Sequence, residues 1–255
     1  MIKFENTEVM GWEHAIRGMR NPMNSWEKSD SGYCQRDLLR DCTTCVHLDT
    51  GYPACYSKFD VGPNDYKLMM NLRSAGTDHR KFMRMIVVYV DIIAPLYWWK
   101  EFDTYKVGTV ANSCSTMHKI HEKEFTLEDF STDHLLPHSS FVLQDMIINL
   151  NQYRNEYLKA KTKPMKEESK RAELMKKYWW QMIQLLPSSY NQKRTVMLNY
   201  EVLANIYESR NNHKLDEWRI GFMEWIESLP YSELICGPEF YIGIDLSNGD
   251  DMKGE

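Results

Sequence analysis

Apolar positions in this chain recur with two periods, and the change between them marks the elements. Over residues 65–75, Tyr66, Leu68, Met69 and Leu72 fall at helical spacing, with Asn64 placed to cap the helix and Gly76 to stop it. Residues 85–93 are apolar and β-branched apart from Asp91, as a buried strand requires. Pro95 suits the first turn of a helix over LYWWKEFDTYKVG, which Gly108 would end. The small, polar stretch 109–121 predicts a loop or an irregular helix start, and 127–129 open a short helix. Over 140–159, Leu143, Met146, Ile147, Leu150 and Tyr153 form one helical stripe. Pro164 breaks the charged run that follows, a helix resumes through residue 184, and Pro187 ends it. Residues 190–198 read as a strand. Residues 199–209 and 215–229 read as helices, the second with Trp218, Phe222, Trp225, Ile226 and Leu229 on its core face. The first 33 residues offer a short helix and then turn-prone Asn-Pro, Asn-Ser and Ser-Gly pairs, and the tail from Ser247 is polar and expected to fray.

Composition adds limits rather than a function. At 255 residues the chain makes one large domain, or one domain with a small appendage. The apolar fraction of 43% and the eight Trp, fifteen Tyr and nine Phe supply ample core. A net charge of -5 argues against a general binder of nucleic-acid polymers or anionic membranes, while leaving room for a local basic pocket. No apolar run reaches membrane-spanning length, and no secretory leader is visible, so a cytoplasmic setting is expected. Four of the six cysteines, Cys34, Cys42, Cys45 and Cys55, lie within 22 residues. Cys42 and Cys45 have a spacing that lets two thiolates reach one metal, with Cys34, His47 and Cys55 to complete a site; free cysteines in an inserted loop are the other reading. Cys114 and Cys236 read as plain buried residues. His118 and His121, three apart, would share a helical face as metal ligands sometimes do, but lack a carboxylate at matching spacing.

The segment 186–219, LPSSYNQKRTVMLNYEVLANIYESRNNHKLDEWR, carries the most information. It sets Asn199, Asn205 and Arg210 along one helix, then His213, then Glu217 and Arg219 on the next. Amides and a guanidinium on a helix that also has apolar spacing need partners, because unpartnered burial is costly. This order resembles the C-terminal half of the flavin-dependent thymidylate synthases. Two further blocks follow the family's order. AGTDHRKFMRMIVVYVDIIAPLYWW resembles its Gly-His…Glu-His…strand…Pro element, with His79 as the flavin-side histidine. KEFDTYKVGTVANSCSTMHKI falls where the family has Arg-His-Arg followed by Ser-x-Asn-Glu-x-Ser, matching at Asn112 and Ser115. The family's Arg-His-Arg is replaced by 104–106 or 105–107, and Lys106 and His118 could replace part of the charge.

The resemblance implies an α+β fold with a central, mostly antiparallel sheet and flanking helices. It divides the chain into an N-terminal extension with the cysteine insert (1–63), the synthase-like domain (64–246) and a tail (247–255). It implies FAD as cofactor, NADPH as reductant, methylenetetrahydrofolate as carbon donor, a dUMP-like nucleotide as substrate, and a homotetramer. Arg210 and Ser115 would serve catalysis; His79, Asn205, Lys106 and Asn112 would bind cofactor; no cysteine nucleophile and no metal are required. Plainer readings stand beside these. Arg210 could pair with Glu208 or Glu217, Asn205 could be a buried amide, His79 an exposed turn residue, Ser115 a capping hydroxyl, and Asn199 purely structural. A second class of function is a nucleotide- or flavin-binding or assembly protein without turnover.

Overall fold

The computed structural model describes residues 2–33, 59–162 and 168–237. The cysteine cluster Cys34, Cys42, Cys45 and Cys55, with His47, lies outside the described residues, as does the tail. Four strands form the main sheet: β1 (Lys3–Met10), β4 (Val87–Pro95), β5 (Val110–Ser113) and β6 (Asn191–Asn199), in the order β1-β4-β6-β5. A separate antiparallel pair joins β2 (Gly32–Tyr33) to β3 (Phe59–Asp60). The fold is α+β, an antiparallel sheet with flanking helices.

β4 shows why the strands form. Val88, Val90, Ile92 and Ala94 alternate inward and are buried, while Tyr89, Asp91 and Ile93 face the other way. β6 alternates likewise through Gln192, Val196 and Leu198. β5 corrects the sequence reading of a loop over 109–121. It pairs antiparallel with β6, Asn112 opposite Thr195 and Ser113 opposite Arg194. Its four residues are all exposed, so no apolar period announces it. β1 lies in the segment expected to be an extension and is nonetheless one edge of the main sheet.

The helices are α1 (Trp12–Arg20), α2 (Pro63–Ser74), α3 (Leu96–Phe102), α4 (Pro137–Thr162), α5 (Glu168–Leu185), α6 (Tyr200–Arg210), α7 (Met223–Glu227) and α8 (Glu233–Cys236). α2 begins earlier than expected, at Pro63. Its first amides, those of Asn64 and Asp65, donate to the Asp30 carboxylate at 2.9 and 3.1 Å, a cap supplied from a distant residue. α3 stops at Phe102, short of Gly108, where the Thr104 hydroxyl folds back on the Glu101 carbonyl at 2.7 Å. A π-helical turn, Glu217–Phe222, precedes α7 and interrupts the helix expected over 215–229. No helix among the described residues is long and apolar enough to cross a membrane.

The chain divides into two compact units. The first comprises Met1–Thr7, Tyr89–Met197 and Asn212–Glu224. One of its cores is aromatic: Trp98, Trp99, Phe102, Trp218 and Phe222 stack or meet edge-on, with Trp98 and Trp218 centroids 4.5 Å apart. Another lies under the α4–α5 hairpin around Phe125, Phe130, Leu143, Ile147, Leu150 and Met182. The loop between β5 and α4 is fastened to α4 by two side chains. Asn151 accepts from the Phe125 amide at 2.9 Å and donates to its carbonyl at 2.8 Å, and Arg154 Nε donates to the His121 carbonyl at 2.9 Å. Asn151→Ala removes both partners of one backbone unit and is expected to cost about 1–3 kcal/mol in urea unfolding. A loss under about 0.5 kcal/mol would show that the loop is held by its apolar side chains alone.

The second unit comprises Glu8–Val88, Leu198–Asn211 and Trp225–Glu255. Its core sets Trp12 edge-on against Tyr200 and Tyr231 at 5.3 and 5.1 Å, with Met69, Phe82, Met83 and Ile206 buried beside them. Gly11 opens α1 at φ +96°, and a Cβ there would stand 2.0 Å from the Met85 carbonyl oxygen, so only glycine fits.

Candidate functional site

Two groups of candidate residues are built, one in each unit. The first starts at the entry to α6. Asn199 has extended backbone geometry, and its Oδ1 accepts from the Val202 amide at 3.0 Å, so it is the helix cap and its role is structural. Leu203, Ala204 and Ile206 face inward and are buried. That leaves Glu201, Asn205 and Glu208, at i, i+4 and i+7, on one stripe of the helix.

A 3-10 helix, Arg80–Met85, supplies the basic residues that meet this stripe. Arg80 is buried, and its Nη2 donates to Asn205 Oδ1 at 2.7 Å. Its Nη1 contacts Glu208 Oε1 at 3.5 Å, and its Nε stands 3.9 Å from Glu201 Oε1 without a hydrogen-bond partner. Glu201, also buried, is gripped by Arg84, whose Nε donates to one carboxylate oxygen and Nη2 to the other at 3.2 Å. His79 immediately precedes the 3-10 helix, its amide on the Gly76 carbonyl at 3.0 Å and its ring exposed. The structure thus brings Arg80, the residue after His79, against Asn205. Asn205 is exposed and bonded to a side chain, not a buried amide bonded to backbone. Arg210 lies on the same helix, half-buried in its last turn.

The second group lies at β5. The β5–β6 ladder continues past Ser113: the Cys114 amide donates to the Lys193 carbonyl at 2.9 Å, and the Cys114 carbonyl accepts from Gln192 Nε2 at 2.9 Å. The turn that follows therefore leaves from a fixed point. Ser115 Oγ accepts from the amides of His118 and Met117 at 2.9 and 3.3 Å, the capping role its sequence allowed. Its hydroxyl hydrogen remains to donate. Trp179 Nε1 donates to the Met117 carbonyl at 2.7 Å and holds the turn from the α5 side. Asn112, on exposed β5, and Lys106, in the exposed turn after α3, belong to the same unit.

Other residues singled out from the sequence are engaged internally. Glu217 is buried and accepts from the Tyr97 hydroxyl; burial and that carboxylate hold the phenol well above its ordinary pKa, so Tyr97 stays neutral. Arg219 donates to Asp216 at 2.6 Å. His213 Nδ1 accepts from the Leu215 amide at 3.1 Å, which leaves the proton on Nε2, 3.1 Å from Glu101 Oε2. His121 is buried against Tyr157, and burial, then Lys161, lowers its pKa, whereas His118 is exposed; the two do not share a ligand face. Among the described residues no three His, Cys, Asp or Glu side chains are placed to hold a metal ion. Cys114 is exposed, contrary to expectation, because it extends an edge strand. Cys236 is half-buried, its thiol pushed up to about 12 by burial and then by Glu227.

The sequence reading missed Arg80 and Glu201, and considered Glu208 only as a partner for Arg210. The available signal was the basic run DHRKFMR, complementary to acids at i and i+7 on the helix that carries Asn205.

No protein-family model matches the chain, and no curated protein does. Solved structures do. Thymidylate synthase X from Helicobacter pylori, solved with FAD and dUMP, superposes with a TM-score of 0.58 at 12% identity, over 94% of this chain and 98% of that one. A second structure of the flavin-dependent thymidylate synthase from the same organism, also complexed with FAD and dUMP, gives 0.56 at 14% identity, over 93% and 98%. The chain has the flavin-dependent thymidylate synthase fold. At these identities the likeness is one of backbone, and it spans nearly all of both chains.

Proposed function

We propose that this chain binds FAD and a dUMP-like pyrimidine nucleotide and catalyses reductive methylation of the pyrimidine, with methylenetetrahydrofolate as carbon donor and NADPH as reductant. The observation that carries the reading is the Arg80–Asn205 contact beside exposed His79. Arg80 fixes the amide orientation of Asn205 by occupying its Oδ1, so the exposed Nδ2 is presented as a donor. The residues fit the cofactor: an oriented amide donor, an exposed imidazole and an unpartnered buried Nε on the neighbouring guanidinium are features a polar, planar, anionic group would satisfy.

Bound FAD would supply hydride to the pyrimidine. The chain's own part is to bind and orient. Asn205, through its free amide donor, and His79, through its exposed imidazole, would hold the flavin ring. Within the second unit Arg210 would neutralise phosphate; within the first, Lys106 would supply positive charge and Ser115 and Asn112 would supply hydrogen-bond donors for phosphate or sugar oxygens. The reading includes a homotetramer in the cytosol and involves neither a nucleic-acid polymer nor a membrane.

A second reading, ligand binding without turnover, is favoured by one feature. Where the family has Arg-His-Arg this chain has one lysine, and nearby Arg194 is already bonded to Asp103 at 2.7 Å and stacked 4.1 Å over Trp99. The absorption spectrum after loading with excess FAD and desalting is expected to retain flavin bands. Loaded protein that then methylates dUMP supports the enzyme. Retained flavin without methylation supports the binding protein, and protein that retains no flavin at saturating FAD overturns the cofactor assignment.

A further inference from the structure

Arg80 is compensated unevenly. The residue is 6% exposed, and its guanidinium has three neighbours. Asn205 is neutral. Glu201 stands 3.9 Å away and shares its charge with Arg84, which donates to both of its oxygens. Glu208 reaches Nη1 at 3.5 Å, with 57% of its side chain in solvent. A buried cation needs an anion close by. A long contact from a mostly exposed, flexible carboxylate contributes little, because solvent screens it and side-chain entropy opposes it. Arg80 Nη1 has no other partner among the described residues, and Nε has none. Two donors of a rigid fork are therefore weakly held or unheld, while Asn205 fixes the fork's direction through Nη2.

Resting on the nucleotide- and flavin-binding reading, we infer that Arg80 receives a phosphoryl oxygen of the bound ligand, and that Glu208 is the exchangeable group that leaves to admit it. A phosphoryl group carries acceptors that suit guanidinium geometry better than a single carboxylate oxygen at 3.5 Å. Glu208 swings to solvent without breaking helix α6, since its side chain already lies mostly there. In the ligand-free protein Glu208 adds to the compensation that buried Glu201, shared with Arg84, supplies from 3.9 Å. The source of the phosphoryl group, flavin dinucleotide or pyrimidine nucleotide, is decided by which ligand responds.

The test is a double-mutant cycle read by calorimetry, titrating FAD, dUMP and inorganic pyrophosphate into the wild type, Glu208→Gln, Arg80→Gln and the double variant. Glu208→Gln removes the competitor and is expected to tighten the responding ligand about tenfold. In the Arg80→Gln background the same substitution is expected to change affinity by less than about twofold. A gain that persists without Arg80 means a general field effect of deleting one negative charge, and overturns the inference, as does no gain at all. If Arg80→Gln fails to fold by circular dichroism, Arg80→Lys keeps the buried cation and removes the fork, and the gain should again collapse. FAD and dUMP ignored by every variant, with pyrophosphate bound more tightly by Glu208→Gln in an Arg80-dependent way, keeps the phosphoryl site and discards the synthase reading. No binding of any of the three probes by any variant overturns both.

Discussion

Asp65→Ala is expected to lower the unfolding free energy by about 3–5 kcal/mol, the range for breaking one side of a buried ion pair. Asp65 is fully buried, and five donors converge on it. Arg20 Nε binds one oxygen at 2.6 Å; the other accepts from the hydroxyls of Ser29 and Ser31 at 2.7 Å and from the amides of Asp30 and Ser31 at 3.1 Å. The carboxylate thereby ties α1, the segment 29–31 and α2 together. Removing it strands Arg20, 4% exposed, with only the carbonyl oxygens of Ser25 and Lys28 and the Ser25 hydroxyl for partners among the described residues. Burial alone raises the Asp65 pKa, but the hydrogen bonds from Ser31, Ser29 and Arg20 together outweigh it and hold the carboxyl below its ordinary value. A depressed folded pKa means the stabilisation is fully present above the unfolded value, about 3.9, and is lost as pH falls through the folded one. Urea unfolding between pH 7 and pH 2 should therefore show an acid limb in the wild type that is reduced in Asp65→Asn. A change under about 1 kcal/mol in Asp65→Ala at neutral pH would mean that Arg20 reaches solvent without help.

What the sequence made legible follows from where the information is stored. β4, β6, α4, α5 and α6 bury one side or stripe, so their apolar period is written in consecutive residues. β5 has no buried residue and exists because β6 offers it a ladder, which no local pattern records. The start of α2 was misplaced because its cap is Asp30, over thirty residues upstream. The site divides the same way. Asn205 and Arg210 stand in a recognisable order along one helix, whereas Arg80 gains its meaning only when the 3-10 helix meets α6. Glu217 and Arg219 belong to the same order of residues, yet their partners are Tyr97 and Asp216 within the fold, so order alone did not separate ligand contacts from internal ones.

Arg210→Ala is expected to weaken dUMP binding about 10- to 150-fold while leaving the protein folded. One charge-assisted hydrogen bond to phosphate contributes about 1.5–3 kcal/mol, and 1.4 kcal/mol is a factor of ten in affinity. Arg210 sits in the last turn of α6, where a cation interacts favourably with the negative end of the helix, a contribution of about 0.3–1 kcal/mol. Calorimetry with dUMP and thermal unfolding read the binding and folding contributions separately. Arg210→Lys should fall between, since an ammonium keeps the charge and loses the planar fork. Arg219→Ala is the matched comparison: it is exposed, its guanidinium is held by Asp216 at 2.6 Å, and its loss should alter dUMP affinity by less than about twofold. Equal losses in the two variants would indicate a general electrostatic contribution rather than a contact. Unchanged affinity in Arg210→Ala would remove the residue from the site and leave Lys106 as the cation to test next.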